Sequence, residues 1–140
     1  MSRPLDRFKN MFNQLDKNHL ELLEQIYTPD VKFRDPVHTL NGLPALRDYY
    51  SRLYEGVLSC QFTFEAEVIE SQQGMLAWVM RFQHRRFRAG ETLELSGISQ
   101  LQFLDDGRVH NHRDYFDMGE FIYERVPVLG SVIRTIKKRL

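Results

Sequence analysis

Two aspartates and a set of histidines are the residues of this chain whose types and spacing could do chemistry. In Arg108-Val-His-Asn-His-Arg-Asp-Tyr-Phe-Asp117, charged groups and aromatic rings alternate. Read as a strand, the run puts His110, His112, Asp114 and Phe116 on one face and Val109, Asn111, Arg113 and Tyr115 on the other. If the first face turns inward, two imidazoles and a carboxylate share a low-dielectric place, where they need a partner or a task. The task open to them is proton transfer. A second carboxylate, Asp35, ends the alternating run Val31-Lys-Phe-Arg-Asp35 on the side of Val31 and Phe33, and Pro36 stops pairing there. His84 follows the apolar run Met75 to Phe82.

Each residue also has a structural reading. Asp35 before Pro36 can close a turn with its side chain. Asp114 can pair with Arg81, Arg86 or Arg113 in a buried ion pair. His110, His112 and Asp114 offer metal-ligand types, but no further spaced ligand accompanies them, and no metal site is expected. His84 can be a hydrogen-bonded wall residue, and Trp78, Met80, Phe82 and Phe116 plain core.

The elements that must position these groups are legible from periodicity. Leu5, Phe8, Met11, Phe12 and Leu15 recur at helical spacing after Pro4, a residue suited to a helix start. Asn18 is placed to cap a second short helix carrying Leu20, Leu23, Ile26 and Tyr27 on one face, ended by Thr28-Pro29-Asp30. Pro44 opens a third, with Leu46, Tyr49, Tyr50, Leu53 and Tyr54 inward and Gly56 as its stop. From Cys60 the period becomes two, with Cys60, Phe62, Phe64, Ala66 and Val68 on one side. Strands follow over Met75 to Phe82 and Leu93 to Leu104, joined through a basic hairpin, Gln83 to Gly90, and Asp105-Asp-Gly107 turns the chain into the final strand. Three helices before a run of long strands predict an α+β fold, a curved antiparallel sheet forming a cone with the helices packed on it. Its concave face is the natural pocket.

Composition bounds the rest. The chain of 140 residues fits one domain. Lys+Arg and Asp+Glu balance at 19 each with a pI near 7.0, so no nucleic-acid partner is expected. Cys60 is the only cysteine, and neither a signal-peptide core nor a membrane-spanning apolar run is visible, so a cytoplasmic location is expected.

The order of elements and three motifs resemble the nuclear transport factor 2-like superfamily, with its cystatin-like fold, in the branch of SnoaL-like proteins, ketosteroid isomerases and limonene epoxide hydrolases. The resemblance spans roughly residues 5–121. Val31-Lys-Phe-Arg-Asp-Pro-Val37, followed by Gly42 and Leu46-Arg-Asp-Tyr-Tyr50, is similar to the isomerase segment whose Asp before Pro is the general base, which implies that role for Asp35. His112-Arg-Asp-Tyr-Phe-Asp117 is similar to the epoxide hydrolase strand whose first Asp helps activate water, which implies a catalytic role for Asp114. Gly107-Arg-Val109 matches a shared turn.

Other positions depart from both relatives. The isomerases' oxyanion-hole Tyr falls on Met11 and their protonated Asp on Ser99. The hydrolases' Arg and Asp fall on Met80 and Phe82, and their water-binding Tyr and Asn on Phe33 and Asp35. Neither chemistry transfers intact.

The resemblance and strand parity together imply a pocket for a small apolar ligand, lined by Phe12, Phe33, Trp78, Met80, Phe82, Ser99, Leu101 and Phe116. Asp35 and Asp114 are its expected catalytic carboxylates, with His84 and His112 close by. The expected activity is acid/base isomerisation, cyclisation or hydrolysis without a cofactor. The alternative is a non-catalytic accessory domain whose carboxylates are structural. A homodimer through the outer sheet face is implied as well. Residues 1–125 are read as the domain and 126–140 as a basic amphipathic extension, with Val132, Ile133, Ile136 and Leu140 on its apolar side. It is expected to dock on a partner subunit or to lie, over 131–140, on an anionic membrane surface.

Overall fold

The computed structural model describes residues 3–85, 91–117 and 127–140. Helix α1 (Pro4–Gln14) starts on its proline and buries Leu5, Phe8, Met11 and Phe12, the stripe expected from spacing. Each of these side chains, fully removed from water, contributes on the order of 1.5–3 kcal/mol of hydrophobic stabilisation. A 3-10 turn (Leu20–Leu22) leads into a single turn of helix, α2 (Leu23–Ile26). Asn18 does not cap it: its backbone N–H donates to Asp16 Oδ1, and His19 is the residue that precedes the turn. After β1 (Tyr27–Arg34) and the short β2 (Thr39–Asn41), α3 (Leu43–Glu55) buries Leu46, Tyr50 and Tyr54 and stops at Gly56.

The long strands β3 (Val57–Glu70), β4 (Gln73–His84), β5 (Leu93–Phe103) and β6 (Val109–Phe116) complete one sheet in the order β2-β1-β6-β5-β4-β3. The sheet is curved and unclosed, with the three N-terminal helices against it. Four of its ladders are antiparallel as expected. The fifth, β1 on β6, is parallel, because β1 enters from the helical layer rather than from a hairpin.

Two departures from simple parity shape the concave face. Tyr27 does not end a helix but opens β1, and Thr28-Pro29-Asp30 belongs to the same strand. The β1–β6 register shifts between Tyr27 and Lys32, an irregularity that accommodates Pro29, which has no N–H to give a ladder. On β6, Val109 pairs with Phe103 but Asn111 with Gln102, so His110 is the extra residue of a bulge. Val109 turns inward at 1% exposure and His110 leaves the face of His112 and Asp114.

The main core joins α1, α2 and α3 to Val31, Phe33, Leu76, Leu101, Phe103 and Val109 on the sheet. A second cluster, Trp78, Phe82, Leu93 and Leu95, lies further along β4 and β5, with Phe62, Phe64, Met80 and Phe116 packed against it only in part. The space between the two is the hollow of the cone. A last helix, α4 (Pro127–Lys138), carries exposed Val132 and Ile136, and Lys137 Nζ lies 3.3 Å from Asp117 Oδ2 just beyond β6. Residues 86–90 of the basic hairpin and the expected boundary at 125/126 lie outside the described residues. No described helix is long and apolar enough to cross a membrane.

Candidate active site

A cavity of about 270 Å³ opens in the concave face. Of the residues expected there, Asp35, Asp114, His84, His112, Phe12, Phe33, Trp78, Met80, Phe82, Ser99 and Phe116 line it. Leu101 does not. It is level with His112 on the β5–β6 ladder, at the end that α1 covers, and is fully buried in the core. Sequence reasoning missed the helical wall, Phe8, Tyr49, Tyr50, Leu53 and Tyr54, and the β3 wall, Cys60, Phe62 and Phe64. Their spacing marked them as inward-facing, and that signal alone does not separate core from cavity.

Asp114 receives two converging bonds. Across the antiparallel ladder it stands opposite Ser99, whose hydroxyl donates to its Oδ1 at 2.5 Å, and Trp78 Nε1–H donates in turn to Ser99 Oγ at 2.9 Å. Two residues back on the same face, His112 brings Nε2 to within 2.6 Å of the same oxygen, while its Nδ1 lies 2.8 Å from the Tyr27 hydroxyl. A carboxylate only accepts, so Nε2 carries the proton and Nδ1 of the neutral ring accepts from Tyr27. The imidazole is held among Phe8, Phe12 and Phe33 edge-on and is stacked against Tyr27. Two donor chains, Tyr27–His112 and Trp78–Ser99, thus end on one carboxylate oxygen. No bond to the other oxygen, Oδ2, forms among the described residues. The expected pairing with Arg81 or Arg113 does not occur: Arg81 reaches Glu94 and Thr63, and the Arg113 guanidinium lies over the Tyr115 ring. Arg86 is outside the described residues.

Asp35 is built differently. The β1–β6 register pairs Phe33 with His112, so Asp35 and Asp114, two residues on in each strand, follow on the same face. Asp35 Oδ1 accepts from the backbone N–H groups of Val37 and His38 at 2.8 and 2.7 Å, closing the turn before β2, and Oδ2 accepts from the Tyr49 hydroxyl at 2.8 Å. His38 Nδ1 stands 3.1 Å from Oδ1. The turn-closing reading therefore describes Asp35 well, with Tyr49 its added partner. His84 lines the opposite wall: Leu76 is level with Ser99, and His84 lies roughly 25 Å further along the same strand. Its ring rests against Gly56, where a Cβ would come within 2.4 Å of it.

Burial sets the titration of the wall. It pushes the Tyr27 and Tyr50 hydroxyls well above their usual 10.0, with the charge of Asp114 adding to the effect. Burial and then Asp35 raise Tyr49 in the same way. Burial also moves the Cys60 thiol from 9.0 to about 11, opposed only by its bond with Tyr54. All of these groups stay protonated at neutral pH. Among the described lining residues there is no Lys or Arg.

The SnoaL-like domain family matches residues 8–112, most of the chain, and the chain belongs to that family. Solved structures share its NTF2-like fold at low identity. An NTF2-like protein of unknown function from Burkholderia pseudomallei K96243 superposes with a TM-score of 0.74 at 15% identity, over 87% of this chain and 96% of that one. A protein from Shewanella putrefaciens CN-32, described as a SnoaL-like polyketide cyclase, gives 0.70 at 19% over 86% and 94%. An epoxide hydrolase of the limonene type from M. tuberculosis gives 0.68 at 12% over 94% and 93%. A comparison with curated protein sequences finds no match.

Proposed function

We propose that this SnoaL-like domain is an acid/base enzyme acting on a small, neutral, apolar molecule, with Asp114 as the proton-transferring group. The observation that carries the reading is the convergence of Tyr27–His112 and Trp78–Ser99 on Asp114 Oδ1, which holds one carboxylate oxygen fixed in an apolar cavity and leaves Oδ2 for substrate. Such preorganisation costs nothing at the moment of reaction. Oδ2 would take a proton from a carbon acid beside a carbonyl and return it elsewhere on the same molecule, or take one from an attacking water and give it to the substrate oxygen of the bond that breaks. His112 and Ser99 both donate to Asp114, so they act as positioning residues rather than as donors to the substrate. Asp35 positions Tyr49. The chemistry agrees with the cyclase and epoxide hydrolase among its structural neighbours. Two carboxylates on a wall with no Lys or Arg among its described residues disfavour anionic substrates.

Deuterium exchange at the α-carbon of a panel of neutral ketones and lactones, followed by NMR in D2O, tests the reading. The wild type exchanges a member of the panel, Asp114→Asn does not, and Asp35→Asn retains most of the rate. Equal rates for wild type and Asp114→Asn would sink it. The satisfied donor set of Asp35 favours a second reading, a binding domain with structural carboxylates. In that case ligands quench Trp78, the single tryptophan, in wild type and Asp114→Asn alike, and no ligand exchanges.

A further inference from the structure

We propose that α4 is an interfacial helix that lays its apolar stripe on an anionic lipid surface. The inference goes beyond the cavity and does not depend on its chemistry. Val132, Ile136 and Leu140 are 50%, 54% and 100% exposed. Val132 and Ile136, four residues apart, stand about 40° from each other around the helix and form one stripe, and Leu140 follows just beyond its last residue, Lys138. The segment 127–140 also holds Arg134, Lys137, Lys138 and Arg139 and neither Asp nor Glu. The chain is neutral as a whole, so the rest of it is acidic on balance while this segment carries four cations and no acid. Arg134 and Lys138 fall on the helix side away from the stripe and Lys137 at its border, the arrangement in which cations reach headgroups while apolar side chains enter the acyl boundary.

The occupant follows from area and charge together. Three side chains fall far short of the roughly 800 Å² per partner that a stable protein interface buries. A lipid surface needs less apolar area, because each cation near an anionic leaflet adds its own attraction. The Lys137–Asp117 pair at 3.3 Å links the helix to the residue just beyond β6, the strand that carries Asp114.

Flotation of the intact protein with vesicles is the test. It should float with phosphatidylcholine vesicles containing phosphatidylglycerol and stay behind with phosphatidylcholine alone. Ile136→Asp and Lys138→Glu should each weaken binding by on the order of tenfold, as should added salt. Both residues are exposed, and an unchanged circular dichroism spectrum would show that the fold is intact. Failure to float with anionic vesicles, or an Ile136→Asp variant that floats like the wild type, overturns the proposal. So does a loss of solution mass in Ile136→Asp by sedimentation, which would assign the stripe to a second copy of the chain.

Discussion

His112 Nε2 lies 2.6 Å from Asp114 Oδ1, and the imidazole that makes this bond is 1% exposed while the carboxylate side chain is 16% exposed. One partner is sealed in the core and the other stands at the cavity wall. A buried ring with a polar neighbour at each nitrogen is costly to disturb. His112→Phe takes the ring nitrogen from the Tyr27 hydroxyl, which keeps its bond with Tyr50, and removes a donor from Asp114, and two such losses amount to about 2–5 kcal/mol. Tyr27→Phe leaves the His112–Asp114 bond in place, removes the hydroxyl's bonds to His112 and Tyr50, and should cost about 1–2 kcal/mol. Urea unfolding should rank the variants in that order by midpoint, with an unchanged slope. The reverse ranking would show that the Tyr27 bond, not the Asp114 bond, holds the ring.

Asp35 anchors the turn that precedes β2, so its substitutions should read as stability. Asp35→Ala exposes two backbone N–H groups and the Tyr49 hydroxyl to loss of their acceptor, with a cost of roughly 1–3 kcal/mol. Asp35→Asn retains the Oδ1 acceptor and should recover at least half of the loss. Thermal denaturation of the pair separates a turn-closing carboxylate from a dispensable one, for which both variants would melt with the wild type.

Gly97 pairs with Trp78 across the β4–β5 ladder, and a Cβ there would come within 2.4 Å of the indole. The ring is also fixed by its bond to Ser99, so it has little freedom to move aside. Gly97→Ala should therefore cost on the order of 1–3 kcal/mol by overpacking. A shifted Trp78 emission maximum should accompany the loss, and an unchanged spectrum and midpoint would mean that the indole does not lie over Gly97.

Alkaline pH should unfold the chain through its cavity wall. Cys60 loses its proton at about 9.0 when unfolded and at about 11 when folded, so its contribution is complete below pH 9 and is lost as pH rises through that window. Tyr27, Tyr49, Tyr50 and Tyr54 act in the same direction above 10.0. Tyrosinate absorbance from these four should appear together with loss of circular dichroism rather than before it. At pH 8, iodoacetamide should modify Cys60 far more slowly in the native chain than in urea. Equal rates would contradict a buried thiol.

Strand parity located Trp78, Met80, Phe82 and Ser99 because the β4–β5 ladder runs from Gln73 to Phe82 without a shift in register. The same rule misplaced His110, because a bulge inserts one residue and reverses every face beyond it, and nothing in the side-chain pattern marks the insertion. Tyr27 failed for a related reason. Its helical spacing from Leu23 is genuine, yet its burial beside His112 is decided by a strand far away in sequence. His84 sat on the right face and lines the cavity, while its distance along the strand from Asp114 was not legible, since parity gives orientation alone. Asp114 was legible as an inward carboxylate, whereas its two donor chains depend on which rows of the sheet come level, a property of register alone.

The parallel β1–β6 ladder has a kinetic meaning. The bond between Tyr27 and His112 joins residues 85 positions apart, and β3, β4 and β5 lie between them in the chain. Closing so long a loop early would lose chain entropy with few contacts in return, so local hairpins form first and this ladder forms late. Asp114 thus meets its partners, and gains Asp35 as a neighbour, only when nearly the whole chain is in place. A nascent or partly unfolded molecule has no site at all, and chemistry at Asp114 is in effect a report that folding is finished.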